Sequence, residues 1–400
     1  MSLRVQTALP RPRDVLGEFG LYVHVPFCTR RCWYCDFNAY AGLDDLVEPY
    51  MTALVRDVAT AASAPAGGDL EERPRVTSVF IGGGTPSLVD AHWISALMDA
   101  VRSSWDLAGG AEVTIECNPE SVRRSKLEAY LRAGVNRVSI GVQSLDDGLL
   151  ARLGRVHDAS AALRALDAAR QAGFEEVNAD LIFGIPGEDD VAWRDTLARV
   201  LDRGPAHVSC YALTYEEGTP LHSWRRIGRV VPEADDDVAR RWHIADDLLS
   251  RAGLPRYETS NWARPSSRSR HNSLYWRCGE YLGLGAGAHS HVASAQGALR
   301  SWTVRAPARY VQAIRTGLSP VAGAERIDQR TRATEVMVLG LRRTEGVSAV
   351  AFERLVGRQM DDVFGPKIRT AAERRLVSWD GRRLRLRDPL LGDAAAVMFA

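Results

Sequence analysis

Residues Tyr22–Tyr40 read YVHVPFCTRRCWYCDFNAY and hold three of the chain's six cysteines. Cys28, Cys32 and Cys35 are spaced C-x3-C-x2-C and directly follow an apolar, β-branched run that predicts a buried strand. A loop at the end of a strand can bring three thiolates to one centre, and thiolates favour zinc or iron–sulfur clusters. Structural zinc and most clusters use four ligands. The motif therefore leaves two hypotheses, a four-iron cluster with one open iron and a zinc site with a distant fourth ligand.

Outward from this stretch, short apolar runs alternate with helix-like segments as far as about residue 214. The runs begin at Leu21, Val76, Ala111, Arg137, Glu175 and His207. Such alternation predicts right-handed βαβ units and a parallel sheet. Six units are fewer than the eight of a closed barrel, so an open six-stranded partial barrel and a doubly wound sheet both fit. In either fold, ligands bind at the carboxyl ends of the strands.

Glycines and polar residues stand at the ends of these predicted strands. The second strand ends in the sequence GGGTP, from Gly82 to Pro86, whose glycines allow the backbone to approach a ligand closely. The carboxylate of Glu116 suits ribose hydroxyls, and the guanidinium of Arg155 suits a carboxylate. The further strand-end residues are Gln143 and Asp180. Together these groups predict a deep cofactor site.

The composition argues against several classes of protein. Lys and Arg number 51 and Asp and Glu number 50, and this balance weighs against nucleic acid or a membrane surface as a partner. No apolar stretch approaches the ~18 residues that span a bilayer, and the N-terminus lacks the apolar core of a signal peptide. We therefore expect a cytoplasmic protein, where cysteines stay reduced or bind metals.

The pattern C-x3-C-x-aromatic-C, with Tyr34 at the aromatic position, resembles the radical S-adenosylmethionine (SAM) superfamily. The segments VHVPFC, IGGGTPS, GVQS and DLIFGIP resemble its HemN/HemW branch, and the likeness covers about residues 21–395. The resemblance implies an α/β fold, an open partial (β/α)6 barrel with a small C-terminal helical plus β-hairpin, winged-helix-like module. It also implies a [4Fe-4S] cluster on Cys28, Cys32 and Cys35. The implied SAM contacts are Tyr22, Gly83, Gly84, Thr85, Glu116, Gln143, Arg155 and Asp180.

The domain organisation follows from the same resemblance. An N-terminal tail covers residues 1–20, and the radical SAM core covers 21–260. A heme-motif segment and connection follow over 261–330. A HemN-type module is expected over 331–400.

The sequence also bears on the choice between members of this branch. The coproporphyrinogen III dehydrogenase has a further cysteine two residues after the third, whereas this chain reads Cys35-Asp36-Phe37. The dehydrogenase also has a longer N-terminal extension before its first strand than this chain. Both departures favour the heme chaperone of the branch. The segment HNSLYW at 271–276 resembles the HNxxYW motif, which implies heme contacts from His271, Asn272, Tyr275 and Trp276. The arginines just upstream either pair with heme propionates or form a solvated loop, and they are Arg264, Arg268 and Arg270.

We therefore predict a protein that binds heme and delivers it to an acceptor, such as a membrane respiratory enzyme, with no residue assigned to catalysis. The alternative is an enzyme that forms a 5′-deoxyadenosyl radical and decarboxylates coproporphyrinogen III to protoporphyrinogen IX. The chaperone hypothesis predicts heme and heme-accepting proteins as partners. It predicts neither binding to nucleic acid nor a transmembrane segment. It also allows a cluster-dependent homodimer.

Overall fold

The computed structural model describes residues 17–62, 74–294 and 297–400. Within these residues, eleven strands form one mixed sheet. They are β1 Phe19–Val25, β2 Arg75–Gly83, β3 Asp106–Cys117, β4 Arg137–Gln143, β5 Glu176–Phe183, β6 His207–Ala212, β7 Asn261–Ala263, β8 Glu280–Leu284, β9 His289–Ser294, β10 Gly297–Thr303 and β11 Val321–Ile327. The first six match the predicted strands to within a few residues. The predicted tail at 1–20 lies largely outside the described residues.

The order of the strands matches an open barrel of βα units. Strands β1 to β6 are neighbours in chain order and pair in parallel throughout. The full order is β11-β10-β9-β8-β1-β2-β3-β4-β5-β6-β7, and no described ladder joins β7 back to β1. The carboxyl ends of the six parallel strands therefore meet at one edge, where the cysteine loop also begins. The predicted open (β/α)6 core is confirmed.

Helices follow the strands in the expected alternation. Those of the core are α1 Asp44–Ala61, α2 Ala91–Ser104, α3 Arg124–Arg132, α4 Asp147–Leu153, α5 Ala159–Ala172, α6 Asp190–Leu201, α7 Pro220–Arg226 and α8 Asp235–Arg251. Capping residues fix their ends. The Asp158 side chain accepts from the backbone N–H of Ala161 at the start of α5, and Gly173 ends that helix in the left-handed region with φ of 105°.

The strands bury apolar side chains on one face and polar side chains on the other. In β4, Val138, Ile140 and Val142 belong to the main core beneath the helices. Between them, Ser139 faces the opposite way and its hydroxyl donates to Asp180 on β5 at 2.6 Å. Successive strand residues point to opposite faces, so the barrel interior is lined by polar groups while the outer layer is apolar.

The segment 261–330 extends the sheet at both edges, which the sequence analysis did not predict. Strand β7 pairs antiparallel with β6, and β8 pairs in parallel with β1 at the other edge. Strands β9, β10 and β11 then continue antiparallel beyond β8. The helices of this segment are α9 Arg270–Trp276 and α10 Pro307–Arg315. The segment described from sequence as a connection is therefore largely part of the sheet.

The C-terminal module has its own core. Its helices are α11 Gln329–Gly340, α12 Ala349–Val356, α13 Met360–Glu373 and α14 Gly392–Phe399, and its strands are β12 Val347–Ser348, β13 Val377–Trp379 and β14 Arg383–Leu386. Met337, Phe352, Phe364 and Phe399 are buried together in this core. The predicted helical plus β-hairpin module is confirmed. Across the described residues, no helix combines the length and apolar character needed to cross a bilayer.

Candidate radical SAM site and heme segment

The cysteine loop follows β1 and folds back on itself. The Cys28 N–H donates to the carbonyl of Tyr40 at 2.8 Å, and the Cys28 thiol lies 3.5 Å from the Thr85 hydroxyl at the end of β2. All three thiols of the loop are half-buried. Burial raises the pKa of Cys28 and raises that of Cys35 to about 11. A bound metal would reverse this preference for the neutral thiol, because a coordinating thiol is deprotonated.

The donor set of the loop fits an iron–sulfur cluster. Across residues 17–62, 74–294 and 297–400, no three His, Cys, Asp or Glu side chains converge closely enough to hold one metal ion. A four-iron cluster makes a different demand, because each cysteine binds a separate iron. Soft thiolates are the ligands that such clusters use. The Arg155 guanidinium also donates to the Cys32 sulfur at 3.4 Å.

The glycine-rich end of β2 lies against the start of the cysteine loop. The N–H of Gly84 donates to Val25 O at 2.8 Å, and that of Thr85 donates to Phe27 O at 2.7 Å. A Cβ atom on Gly84 would lie 2.7 Å from the carbonyl oxygen of Phe27. Gly83 adopts a φ of 119°, where side chains are rarely tolerated. This edge therefore requires glycine where it packs against the cysteine loop.

Arg155 joins the cysteine loop to the ends of β3 and β4. Its Nη2 donates to Asn118 Oδ1 at 2.8 Å and to Gly141 O at 3.2 Å. Asn118 in turn donates to the Thr85 hydroxyl at 3.0 Å. Within the described residues, Arg155 Nε is buried without a hydrogen-bond partner. A buried, unpaired guanidinium N–H is costly, so the site fits an added anion such as a carboxylate.

Two carboxylates lie on the interior face of the barrel. Glu116 accepts from the Gly83 N–H at 3.0 Å, while Asp180 accepts from the Ser139 hydroxyl at 2.6 Å and the Asn178 amide at 2.8 Å. Burial, together with the nearby charge of Asp180, raises the pKa of Glu116 to about 8. Burial also raises the pKa of Asp180. Carboxyl groups of this kind suit the hydroxyls of a nucleoside.

Tyr22 and Gln143 complete the set predicted from sequence. The Tyr22 hydroxyl bonds to Nδ1 of His24 at 2.9 Å, and His24 Nε2 bonds to Asn38 O at 3.0 Å, so His24 is engaged within the fold. Gln143 is buried and has a φ of 64° at a register shift between β4 and β5. A non-glycine residue in this region is uncommon and clusters at functional sites. Gly141 accommodates it, since a Cβ there would lie 2.8 Å from its side-chain nitrogen.

The HNSLYW segment at 271–276 forms nearly all of α9, and His271 points into the fold. Its Nδ1 bonds to the Ser78 hydroxyl at 2.9 Å, its Nε2 bonds to the Tyr275 hydroxyl at 2.8 Å, and the ring has no exposed surface. Burial lowers the pKa of His271 to about 3. Ser78 lies near the start of β2, whereas the cysteines follow the end of β1. The segment and the cysteine loop therefore lie at opposite ends of the parallel strands.

The other two residues of the HNSLYW segment that are predicted to contact heme are more accessible. Asn272 and Trp276 are half-buried. The indole N–H of Trp276 is buried without a hydrogen-bond partner among the described residues, and the Arg342 guanidinium lies 5.9 Å from the ring centroid. An unsatisfied buried donor of this kind is unusual in a folded protein.

The upstream arginines differ in how far they are engaged. Arg264 is exposed, Arg268 pairs with Glu345 at 3.0 Å, and Arg270 donates to the carbonyl of Gly110 at 3.0 Å. A cavity of about 320 Å³ lies beside Arg268 and Arg270. Its lining also includes three carboxylates, Glu112, Glu175 and Glu176. This mixture of charges gives the cavity little net attraction for propionates.

Comparison with known proteins supports the likeness seen in the motifs. The profile of the radical SAM superfamily matches residues 22–200, and that of the HemN C-terminal domain matches residues 327–389. The heme chaperone HemW of Mycobacterium tuberculosis is 40% identical over 347 residues, which cover 85% of each chain. This chain belongs to the HemW family of the radical SAM superfamily. HemW of Escherichia coli is 39% identical over 74% of this chain and 76% of its own length.

A solved structure shares the fold of this chain along nearly its whole length. The coproporphyrinogen III oxidase HemN from Escherichia coli superposes with a TM-score of 0.79. The match covers 96% of this chain and 90% of that one, at 20% sequence identity. At this level of identity the likeness establishes a shared fold and leaves the activity open.

The structure brings most of the predicted radical SAM residues together in this HemW-family chain. The three cysteines, the GGGTP edge, Glu116, Gln143 and Arg155 stand at the same end of the sheet. The sequence analysis missed Asn118, which joins Arg155 to Thr85, and Asn178, which holds Asp180. Asn118 directly follows the end of β3, and this position was the available signal, whereas Asn178 lies near the start of β5 and offered no such signal.

Glu116 should contribute a fall in the stability of the cofactor-free protein as the pH rises. Its pKa is about 8 in the fold and near 4.5 when unfolded, so the folded state holds an extra proton between these values. The favourable contribution is complete below pH 4.5 and is lost as pH rises through 8. We expect Glu116→Gln to reduce the change in the free energy of unfolding between pH 5 and pH 8.5 by about 2 kcal/mol. This is less than the full pKa shift of Glu116 would give, because the side chain is only half-buried.

Urea unfolding of wild type and Glu116→Gln at pH 5 and pH 8.5 measures this effect. Glu128→Gln on α3 is the control, since that carboxylate sits in an exposed ion pair with Arg124. Equal pH slopes for wild type and Glu116→Gln would show that Glu116 is ionised throughout.

Proposed function

We propose that this protein is a heme chaperone, which binds heme and passes it to acceptor proteins. The observation that carries the proposal is the 40% identity to a heme chaperone over 85% of both chains. The absence of a cysteine two residues after Cys35 agrees with it, since Asp36 and Phe37 follow there. The acceptors we propose are heme-requiring proteins such as membrane respiratory enzymes, reached from the cytoplasm. We also propose that cluster loading promotes a homodimer.

We infer that the cysteine loop holds a [4Fe-4S] cluster through Cys28, Cys32 and Cys35. SAM would contact Gly83, Gly84 and Thr85 along the edge of β2. Its remaining contacts would come from Tyr22, Glu116, Gln143, Arg155 and Asp180. The buried unpaired Nε of Arg155 supports a carboxylate beside it. A cluster with an open iron supplies the electron for reductive cleavage of SAM, and this chain's residues would position the amine, carboxylate and ribose.

We propose that heme binds at α9 through His271, with Asn272, Tyr275 and Trp276 around it. Imidazole and phenolate are both established axial ligands of heme iron. His271 and Tyr275 share one face of α9 and bond to each other at 2.8 Å. Because the imidazole has no exposed surface, iron ligation requires α9 to open or the ring to swing away from Ser78. The proposed site therefore implies a closed form and a heme-bound form.

The test is heme retention by the anaerobically reconstituted protein. One equivalent of hemin is added, unbound hemin is removed, and absorption spectra are recorded for wild type and His271→Ala. We expect at least a tenfold weaker retention in the variant because a neutral imidazole is the ligand that iron would lose. Ser78→Ala is the matched control, since it removes a bond to the same ring and leaves the imidazole in place.

Two outcomes would contradict the chaperone proposal. If wild type retains no heme, the heme site proposed at the HNxxYW segment is contradicted. Sustained consumption of coproporphyrinogen III under anaerobic reducing conditions would instead identify the protein as the dehydrogenase.

A further inference from the structure

An arginine and tryptophan cluster stands beside the cysteine loop, at the end of the barrel opposite α9. Trp33 lies between Cys32 and Cys35, and its carbonyl accepts from the N–H of Leu221 in α7 at 3.0 Å. The indoles of Trp33 and Trp224 meet with centroids 5.6 Å apart. The Arg30 guanidinium lies 4.3 Å from the Trp33 centroid, and that of Arg229 lies 4.9 Å from the Trp224 centroid. We call these residues, with Arg225, the arginine–tryptophan rim.

The charges of the rim are not neutralised within the described part of the chain. Arg30, Arg225 and Arg229 are exposed and form no ion pair there, and Arg225 instead lies 5.2 Å from the Tyr215 centroid. The acids of the same stretch, Glu216 and Glu217, precede α7. Cation–π contacts hold the guanidinium groups near the rings without satisfying their N–H donors, so the rim keeps its capacity to bind anions.

Apolar side chains extend the rim on the solvent side. Ile227 and Val231 follow α7 and are each 75% exposed, and Phe37 of the cysteine loop is 61% exposed. Exposed apolar groups beside tryptophan and arginine mark a binding surface more often than a bare solvent face. The surface suits a ligand with a broad aromatic face and carboxylates at its edge.

We propose that the arginine–tryptophan rim docks a planar tetrapyrrole dicarboxylate, with the ring against Trp224 and the carboxylates on Arg225 and Arg229. The inference rests on the proposed heme function and adds a second docking surface, separate from α9. A planar porphyrin gains by stacking on an indole, and its propionates gain charge-assisted hydrogen bonds from guanidinium groups. Neither contact needs iron. The guanidinium groups of the rim are exposed and Trp224 is half-buried, whereas the ring of His271 is enclosed.

Because docking at the rim does not need iron, a metal-free porphyrin tests the rim separately from iron ligation at α9. Metal-free protoporphyrin IX is titrated into the full-length protein, and binding is followed by absorption and by quenching of tryptophan fluorescence. We expect the double variant Arg225→Gln/Arg229→Gln to bind about tenfold more weakly, from two partly exposed charge-assisted contacts. The double variant Arg354→Gln/Arg358→Gln removes two exposed arginines of the C-terminal module and is the charge-matched control.

A change in the ligand provides the second arm. Protoporphyrin IX dimethyl ester keeps the aromatic face and lacks the carboxylates. Wild type should bind the ester about tenfold more weakly than the diacid, and the rim variant should bind both alike, because the lost contacts are the same ones. Equal affinity of wild type for diacid and ester overturns the proposal. So does equal binding of the diacid by wild type and the rim variant.

The outcomes separate this inference from the proposed function. Hemin retention that is lost in His271→Ala, together with equal binding of protoporphyrin IX by wild type and the rim variant, would leave the chaperone function standing and overturn the rim proposal. Wild type that binds neither hemin nor protoporphyrin IX would remove both. Rim-dependent binding of a single-stranded oligonucleotide, without binding of porphyrin, would also overturn the proposal, because arginine and tryptophan serve stacked bases as well.

Discussion

Replacing Cys28, Cys32 and Cys35 together with alanine is expected to reduce iron in the anaerobically reconstituted protein from about four atoms per chain to background, since cysteine thiolates hold such clusters. The three thiols are half-buried on one short loop, and no three His, Cys, Asp or Glu side chains of the described residues converge closely enough to hold a single metal ion. Iron and acid-labile sulfide analysis, with the visible absorption of the cluster, measures the loss.

The remaining cysteines provide the matched control. Cys117 and Cys210 are buried in the main apolar core, and Cys278 is buried in the core of the C-terminal module. Alanine at these three positions should preserve the full iron content and cost only modest stability, because cysteine packs there as a small apolar side chain. Near-zero iron with one zinc per wild-type chain would contradict the cluster and would support the zinc hypothesis instead.

The parallel core could be predicted from sequence because its signals are local. The strand of residues 137–143 reads RVSIGVQ and is buried along its whole length, as parallel strands between two layers are. Strand β8 carries a weaker signal, since EYLGL sits among glycines and resembles a turn. A Cβ on Gly283 would lie 2.1 Å from the carbonyl of His289, so the glycine is required by the neighbouring strand. That contact is invisible in the sequence.

The candidate site divides in the same way between local and non-local information. The cysteine spacing and the GGGTP edge are each contained in a few adjacent residues. The link from Arg155 through Asn118 to Thr85 spans three strand ends, and only the folded register brings it together. For α9, the spacing of four between His271 and Tyr275 correctly places them on one face. Whether that face meets Ser78 or solvent depends on how the helix docks.

The second large effect should come from a single methyl group at Gly84. A Cβ there would lie 2.7 Å from Phe27 O and 2.8 Å from the carbonyl carbon of Pro26, both of them backbone atoms that cannot turn aside. The end of β2 would have to move away from the cysteine loop, at a cost of about 1–3 kcal/mol. We expect Gly84→Ala to weaken SAM binding at least tenfold in the reconstituted protein, measured by equilibrium dialysis with labelled SAM.

The comparison with Gly109→Ala isolates the steric cause. Gly109 lies on β3, where a Cβ would meet no atom within 4 Å, so SAM binding should be unchanged in this variant. Iron analysis of both variants shows whether the cluster is retained, because Gly84 contributes no ligand and the three thiols remain. Retained iron with lost SAM binding would assign the edge of β2 to the cofactor. Retained iron with unchanged SAM binding would mean that SAM, if it binds, avoids this edge. Loss of both would mean that the contact between Gly84 and Phe27 holds the cysteine loop itself in place.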